Sequence, residues 1–250
     1  MNSLNGKIAI ITGGGAGIGH AIASLFAEQG AMVAAVVRSE SSMRKWDGAT
    51  GVVAVQADIT QAEEIERLFA DVERDLGKPD IVCNVAGIND LSFPVTETSD
   101  ERWDAVMDLD LKAPFRICRR AIPGMVEKGS GAILNVGSYA ALRGNHGPSY
   151  TAAKSGLIGL TRSIAVYYAK SGVRCNIINP GAVRTEIGTH SGGEYHPEGY
   201  KMFRGIVNEL PVNWICDTNQ IAPTALFLCS EEARHINGAV ISVDGGMSAC

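Results

Sequence analysis

The chain has few of the features that mark a metal site, a disulfide scaffold, a membrane span or a nucleic-acid binder. Its six cysteines, Cys83, Cys118, Cys175, Cys216, Cys229 and Cys250, include no Cys-x-x-Cys pair. Metal centres need closely spaced ligands, so scattered thiols read as buried, reduced, apolar residues. The five histidines show no HExxH or HxH spacing, so no metal is expected. Glycine or polar residues interrupt every apolar run well short of the roughly 20 residues a spanning helix requires, so no membrane partner is expected. There is no basic run and the net charge is −5, which argues against a nucleic-acid partner, because phosphate binding relies on clustered Lys and Arg. The N-terminal MNSLNGKIAIITGG lacks a basic segment followed by an apolar leader core, so a cytoplasmic location is expected.

What is present is a chain of 250 residues, long enough to bury a core without staples. Apolar stretches of strand length alternate with helical periodicity. Strands are predicted at 7–12, 32–37, 51–56, 80–83, 132–136, 173–178 and 239–243. Helices are predicted at 17–29, 61–76, 148–170 and 218–229, with another beginning at Ser99 or Asp100, where Pro114 would kink it or open a second piece. Strands apolar on both faces and followed by helices imply a parallel sheet covered on both sides. Right-handed crossovers make this a doubly wound α/β fold with seven strands, read as a single domain over 1–250. Residues 186–216, rich in Gly, His, Tyr and Pro, lie between a strand and a helix and read as a substrate lid within that domain.

Between the first strand and first helix stands Thr12-Gly13-Gly14-Gly15-Ala16-Gly17-Ile18-Gly19. A glycine cluster alone also describes a flexible loop. With a strand before it and a helix after it, it becomes a nucleotide-binding candidate, since backbone N–H groups at a helix N-terminus attract a pyrophosphate. The spacing is TGxxxGxG, and with it the chain resembles the short-chain dehydrogenase/reductase family. By that resemblance the fold is of the Rossmann type, and Gly13, Gly17, Ile18 and Gly19 form the phosphate-side turn.

Tyr150 and Lys154 lie four residues apart on one helical face. YxxxK is common and also describes a solvated pair, but its chemistry is definite. A tyrosine titrates near 10, too high for easy proton exchange at neutral pH, and a neighbouring ammonium is expected to lower that value. Tyr150 would then give a proton to a carbonyl oxygen, or take one from an alcohol. Ser138, which could otherwise be a plain turn residue after a strand, matches the family's substrate-oxygen serine, and Lys154 its ribose-binding lysine. Further matches run along nearly the whole chain. Asp58 and Ile59 follow the third strand at the adenine position. Asn84, Ala86 and Gly87 stand in the family's NNAG, with Val85 replacing its second Asn. Pro180, Gly181, Val183 and Thr185 stand in NPGxVxT on the nicotinamide side. Val243-Asp244-Gly245-Gly246 matches a signature at a subunit interface. Asp110 occupies the position of the family's fourth catalytic residue, an Asn, and is read as tuning the Lys154 ammonium.

The resemblance implies hydride transfer between a nicotinamide dinucleotide and a small-molecule carbonyl or alcohol, in a homo-oligomer, by family habit a tetramer. The other functional class is a non-catalytic nucleotide-binding regulator on the same scaffold. Ser138, Tyr150 and Lys154 favour the enzyme, while Asp110 leaves the regulator in view. The second strand ends Val36-Val37-Arg38, without the acid of NAD-preferring members. Arg38 would pair with a 2′-phosphate, which favours NADP(H) over NAD(H), although the glycine turn carries no basic residue of its own and Arg38 also reads as a solvated strand-end residue. Arg143, Asn145, His146, Tyr195 and Trp214 are candidates for the pocket wall, and each is as readily a surface or packing residue.

Overall fold

Side-chain alternation in the strands builds both core layers at once. In a computed structural model of the chain, residues 3–208 and 215–249 are described. The strands are β1 (Ile8–Thr12), β2 (Met32–Val37), β3 (Val52–Gln56), β4 (Ile81–Asn84), β5 (Gly131–Val136), β6 (Val173–Pro180), β7 (Ala182–Val183), β8 (Ile215–Cys216) and β9 (Val240–Val243). The helices are α1 (Gly17–Glu28), α2 (Glu40–Met43), α3 (Ala62–Asp75), α4 (Asp100–Met107), α5 (Ala113–Lys128), α6 (Pro148–Tyr168), α7 (Ile187–His190), α8 (Pro197–Asn208) and α9 (Ala222–Cys229). Seven strands form one parallel sheet in the order β3-β2-β1-β4-β5-β6-β9. The two-residue strands β7 and β8 pair separately.

Ala9, Ile11, Val33, Ala35, Ile81 and Cys83 point to one face, where they pack with Ile22 and Phe26 of α1 and Ala225 and Leu228 of α9. Ile10, Ala34, Val36 and Val82 point to the other, against Leu68 and Phe69 of α3 and Ile117 and Met125 of α5. A strand covered on both faces has no use for alternating polar residues, and this is why these segments read as continuous apolar runs. The chain turns from one half of the sheet to the other between β1 and β4, and ligands of such sheets bind outside the strand ends at that switch.

Several predicted boundaries move. β4 runs one residue later than expected, and β6 continues to Pro180. The region read as one helix at 218–229 is a 3-10 turn, Thr218–Gln220, followed by α9 with proline in its first turn. Pro114 does not kink a helix. It opens the second helical piece, in the first turn of α5, directly after a π-helical turn at Asp108–Lys112. The interior proline of that helix is Pro123.

Candidate active site

A cleft of about 640 Å3 lies at the carboxyl ends of β1, β4 and β5 and is overhung by α7 and the start of α8. Its nucleotide half is shaped by missing side chains. Gly13 has φ +69°, and a Cβ there would lie 3.0 Å from the Ala86 backbone. A Cβ on Gly19 would stand 2.3 Å from the Gly13 carbonyl oxygen. No side chain caps the N-terminus of α1 and no acid stands in its first turn, so its free N–H groups and positive end are left for an anion. Thr12 ties this turn to the segment after β4: its hydroxyl accepts from the Val85 and Ala86 N–H groups at 2.9 and 3.1 Å. The residues present therefore fit a dinucleotide pyrophosphate.

At the adenosine end the cleft is lined by Arg38, Ser39 and Ser42 on one side and Asp58 and Ile59 on the other. Asp58 accepts from the Thr60 N–H and hydroxyl, which fixes the turn after β3. Lys45, thirty residues on in sequence, donates to the Gly15 carbonyl at 2.9 Å, and the Trp46 indole donates to that of Gly14 at 3.1 Å. The glycine turn lacks a basic residue in sequence but gains one in space.

In the catalytic half, the Asn179 side-chain oxygen accepts from the Ser138 N–H at 3.1 Å, setting that residue at the end of β5. Tyr150 and Lys154 extend from one face of α6, with the ammonium 5.5 Å from the centre of the phenol ring. Lys154 Nζ donates to the Val136 carbonyl at 3.2 Å and lies 3.0 Å from Asp110 Oδ2. The two form a buried ion pair, and Oδ2 has no partner other than Lys154 among the described residues. Asp110 Oδ1 accepts from the Ile88 N–H at 2.9 Å. Burial raises the Asp110 carboxyl above its usual value, against the pull of Lys154. Burial works against the Lys154 ammonium too, but Asp110 and Tyr150 together outweigh it, and its pKa is raised.

The expected lowering of the Tyr150 pKa is corrected by this geometry. Burial dominates and holds the phenol above its ordinary value. Lys154 and Ser138 pull it down, while Asp110 and Asp90 push it up. The phenol therefore keeps its proton at neutral pH.

Of the residues singled out from sequence, Gly13, Gly17, Ile18, Gly19, Arg38, Asp58 and Ile59 reach the cleft wall in its nucleotide half. Ala86, Gly87, Ser138, Tyr150, Lys154, Pro180, Gly181, Val183 and Thr185 do so around the catalytic half. Asn84 does not: its amide is turned inward to Asn135 at 2.8 Å and the Cys118 sulfur at 3.4 Å. Asp110 is fully buried behind Lys154 and does not line the cleft either. Of the pocket candidates, His146 and Tyr195 face the cleft. Asn145 instead donates to the Tyr139 hydroxyl at 3.2 Å, and Arg143 donates to the Ser248 carbonyl. Trp214 lies outside the described residues. His146 stands between Tyr139, Tyr150 and Phe203, and burial lowers its pKa to about 4, so it is neutral at physiological pH. Asp244 accepts from the Gly246 and Ser248 N–H groups at 3.0 Å and closes the C-terminal turn.

Sequence reading passed over Asp90. This carboxylate is buried, lines the cleft, and accepts from the Tyr150 N–H at 3.0 Å. A lone acid in a loop carries no spacing signal, and only the fold brings it to α6.

Residues 13–248 match the family described as enoyl-(acyl carrier protein) reductase. The chain is 34% identical to the 3-oxoacyl-(acyl-carrier-protein) reductase FabG of Vibrio cholerae over 98% of each chain. It is 32% identical to 3beta-hydroxysteroid dehydrogenase 2 of Eggerthella lenta over 98% of this chain and 96% of that one. Among solved structures, levodione reductase superposes with a TM-score of 0.90 at 30% identity, covering 99% of both chains. A protein of Beutenbergia cavernae assigned as an NAD(P)-dependent gluconate 5-dehydrogenase, with NADP bound at low occupancy, gives 0.87 at 30% identity over 100% of this chain and 99% of that one. The fold and cleft define a doubly wound dinucleotide-binding oxidoreductase, not a non-catalytic regulator. The chain belongs to the short-chain dehydrogenase/reductase family.

Proposed function

We propose that this protein is an NADP(H)-preferring carbonyl reductase in which Tyr150 gives the proton and Ser138 holds the substrate oxygen. A bound nicotinamide dinucleotide supplies the hydride for the carbonyl carbon. The Ser138 hydroxyl donates a hydrogen bond to the substrate oxygen, which gains charge as the bond to carbon forms. The Tyr150 hydroxyl gives that oxygen its proton. Lys154 stabilises the phenolate left behind and reaches the ribose hydroxyls. Asp110 sits behind Lys154 and keeps it charged. In alcohol oxidation the same groups act in reverse.

The observation that carries this reading is the convergence of Ser138, Tyr150 and Lys154 on one cleft with the uncapped N-terminus of α1. For reduction the phenol must carry its proton, and at neutral pH it does. Arg38, Ser39 and Ser42, with Lys45 close by, support the 2′-phosphate of NADP(H) over the free hydroxyl of NAD(H). Phe203, Tyr195 and neutral His146 support a substrate with an apolar or cyclic body next to its carbonyl. Residues 186–216 are proposed as the lid over it. A homotetramer in the cytoplasm is the proposed state. No helix among the described residues is long and apolar enough to cross a membrane.

A panel of cyclic and linear ketones with NADPH, and of the matching alcohols with NADP, tests the reading. Tyr150→Phe is expected to lower kcat by roughly 10^2–10^4 while NADPH binding, followed by its fluorescence, persists. Wild-type turnover that survives Tyr150→Phe would remove this tyrosine from the chemistry.

A further inference from the structure

Asp90 makes more directed contacts than a loop acid needs. Its Oδ2 accepts from the Tyr150 N–H at 3.0 Å and the Ser149 hydroxyl at 3.2 Å. Those groups belong to the first turn of α6, whose own N-cap, Gly147, supplies no side-chain hydrogen bond. Asp90 therefore caps the catalytic helix from outside it, at the turn that carries Tyr150. Gly147 has φ −66°, a conformation open to any residue, so the backbone does not require glycine there. Space does: a Cβ on Gly147 would stand 2.4 Å from Asp90 Oδ2.

The other side of Asp90 leads to the overhanging segment. Leu91 and Ser92 follow it with φ of 57° and 59°, two successive left-handed residues that are not glycine. This strained turn is held in place by what covers the cleft. The Leu91 carbonyl accepts from the His196 N–H at 2.9 Å, the Asn89 N–H donates to the Ser191 hydroxyl at 2.9 Å, and the Asn89 amide donates to the Tyr195 hydroxyl at 3.0 Å. Asp90 Oδ1 accepts from the Ser92 N–H at 3.2 Å, so one carboxylate joins the strained turn to the helix.

We propose that Asp90 is a positioning residue that couples the seating of α7 and α8 over the cleft to the placement of Tyr150. The catalytic half of this inference rests on the reductase reading above. The mechanical half does not. When Ser191, Tyr195 and His196 engage the 89–92 turn, the carboxylate is held against α6 and fixes the height of the Tyr150 backbone. When they disengage, the turn relaxes and the cap is lost. Strain kept at such a point is useful because it makes the turn respond to contacts on one side.

Hydrogen exchange on the whole protein tests the mechanical half without turnover. Asp90→Ala is expected to speed exchange of the Tyr150 amide, whose N–H the carboxylate accepts, by about tenfold or more. Ser191→Ala should do so partially in the wild-type background and add nothing once Asp90 is gone. Unchanged Tyr150 exchange in Asp90→Ala, or independent effects of the two substitutions, would overturn the coupling. For the catalytic half, Asp90→Ala should lower kcat by about tenfold with the KM for NADPH within about twofold. Asp90→Asn, which keeps an oxygen for the Tyr150 N–H, should recover most of that loss.

The pH profile separates positioning from simple destabilisation. Tyr150 is faced by Lys154 from its own helix, Asp110 from the π-helical turn, Tyr139 after β5, His146 before α6, and Asp90. Asp90 is one of the two negative groups among these, so both variants should move the low-pH limb of alcohol oxidation downward. Wild-type kcat and limb in Asp90→Ala would sink the catalytic half. A wild type that turns over no carbonyl would overturn the reductase reading and leave exchange to decide the coupling. If Asp90→Ala does not fold, Gly147→Ala, which displaces the carboxylate by its Cβ, is expected to give the same exchange and kcat losses, and the absence of both would count against the proposal.

Discussion

Asp110 and Lys154 face each other at 3.0 Å with neither side chain appreciably exposed, so the charge on one sets the titration of everything near the other. Asp110→Asn keeps an oxygen for the Ile88 N–H and leaves the ammonium with the Val136 carbonyl. It also removes a negative charge that holds the Tyr150 pKa up. The Tyr150 pKa should therefore fall. Alcohol oxidation needs the phenolate, so its low-pH limb should move to lower pH. Carbonyl reduction needs the phenol, so its high-pH limb should move the same way. Activity is expected to persist. Rate profiles of the two directions check this, and limbs that stay in place would show that Asp110 does not tune the pair. The Asp was visible in the sequence as a departure from a family pattern. That burial, rather than Lys154, would dominate the Tyr150 pKa was not, because desolvation depends on everything packed around the phenol and leaves no mark in the YxxxK spacing.

At the scale of elements, the glycine turn and the helix behind it work as one piece. Gly19 stands inside the first turn of α1, and its absent Cβ lets the Gly13 carbonyl approach. Gly19→Ala should push these strands of backbone apart and weaken dinucleotide binding by about tenfold or more, since the pyrophosphate depends on aligned N–H groups. Calorimetric titration measures it, and wild-type affinity would refute the close-approach argument. These elements were legible because their physics is local: an apolar run, a turn that only glycine fits, an amphipathic stretch. Where the elements misread, the deciding force was tertiary. Pro114 leaves two readings open in sequence, a kink or a second helical piece, and the structure takes the second: it stands at the start of α5, after a turn that winds into a π-helix and buries Asp110. Asn84 matched a motif yet its side chain turns to Asn135 and Cys118, since the pairing of β4 with β5 sets it beside Asn135. Lys45 and Asp90 were missed for the opposite reason. Neither belongs to a recognisable spacing, and Lys45 meets the glycine turn and Asp90 the cleft and α6 only because the fold brings distant loops together.

For the whole molecule, the cleft joins both halves of the sheet, so a bound dinucleotide should stabilise the fold as a unit. At a ligand concentration about 100 times Kd the gain is about 2.7 kcal/mol. In a domain of this size that corresponds to a rise in Tm of roughly 5–10 °C. NADPH is expected to give a larger rise than NADH at equal concentration, and Arg38→Ala should narrow the gap by removing a charged partner of the 2′-phosphate. Equal shifts in the wild type would mean no preference between the two, and a larger shift with NADH would point to NAD(H). Scanning calorimetry reads all three.

Among the described residues, the stretch from α7 into α8 contributes no strand to the main sheet and no side chain to either of the two large apolar clusters. It is fastened by a handful of polar contacts to the turn after β4 and by aromatic contacts around His146. Under the proposed lid role, a lineage can rewrite this stretch only where the contacts to the 89–92 turn, and through Asp90 to the Tyr150 N–H, are kept. Selectivity is then free to vary at the positions that leave those few contacts intact.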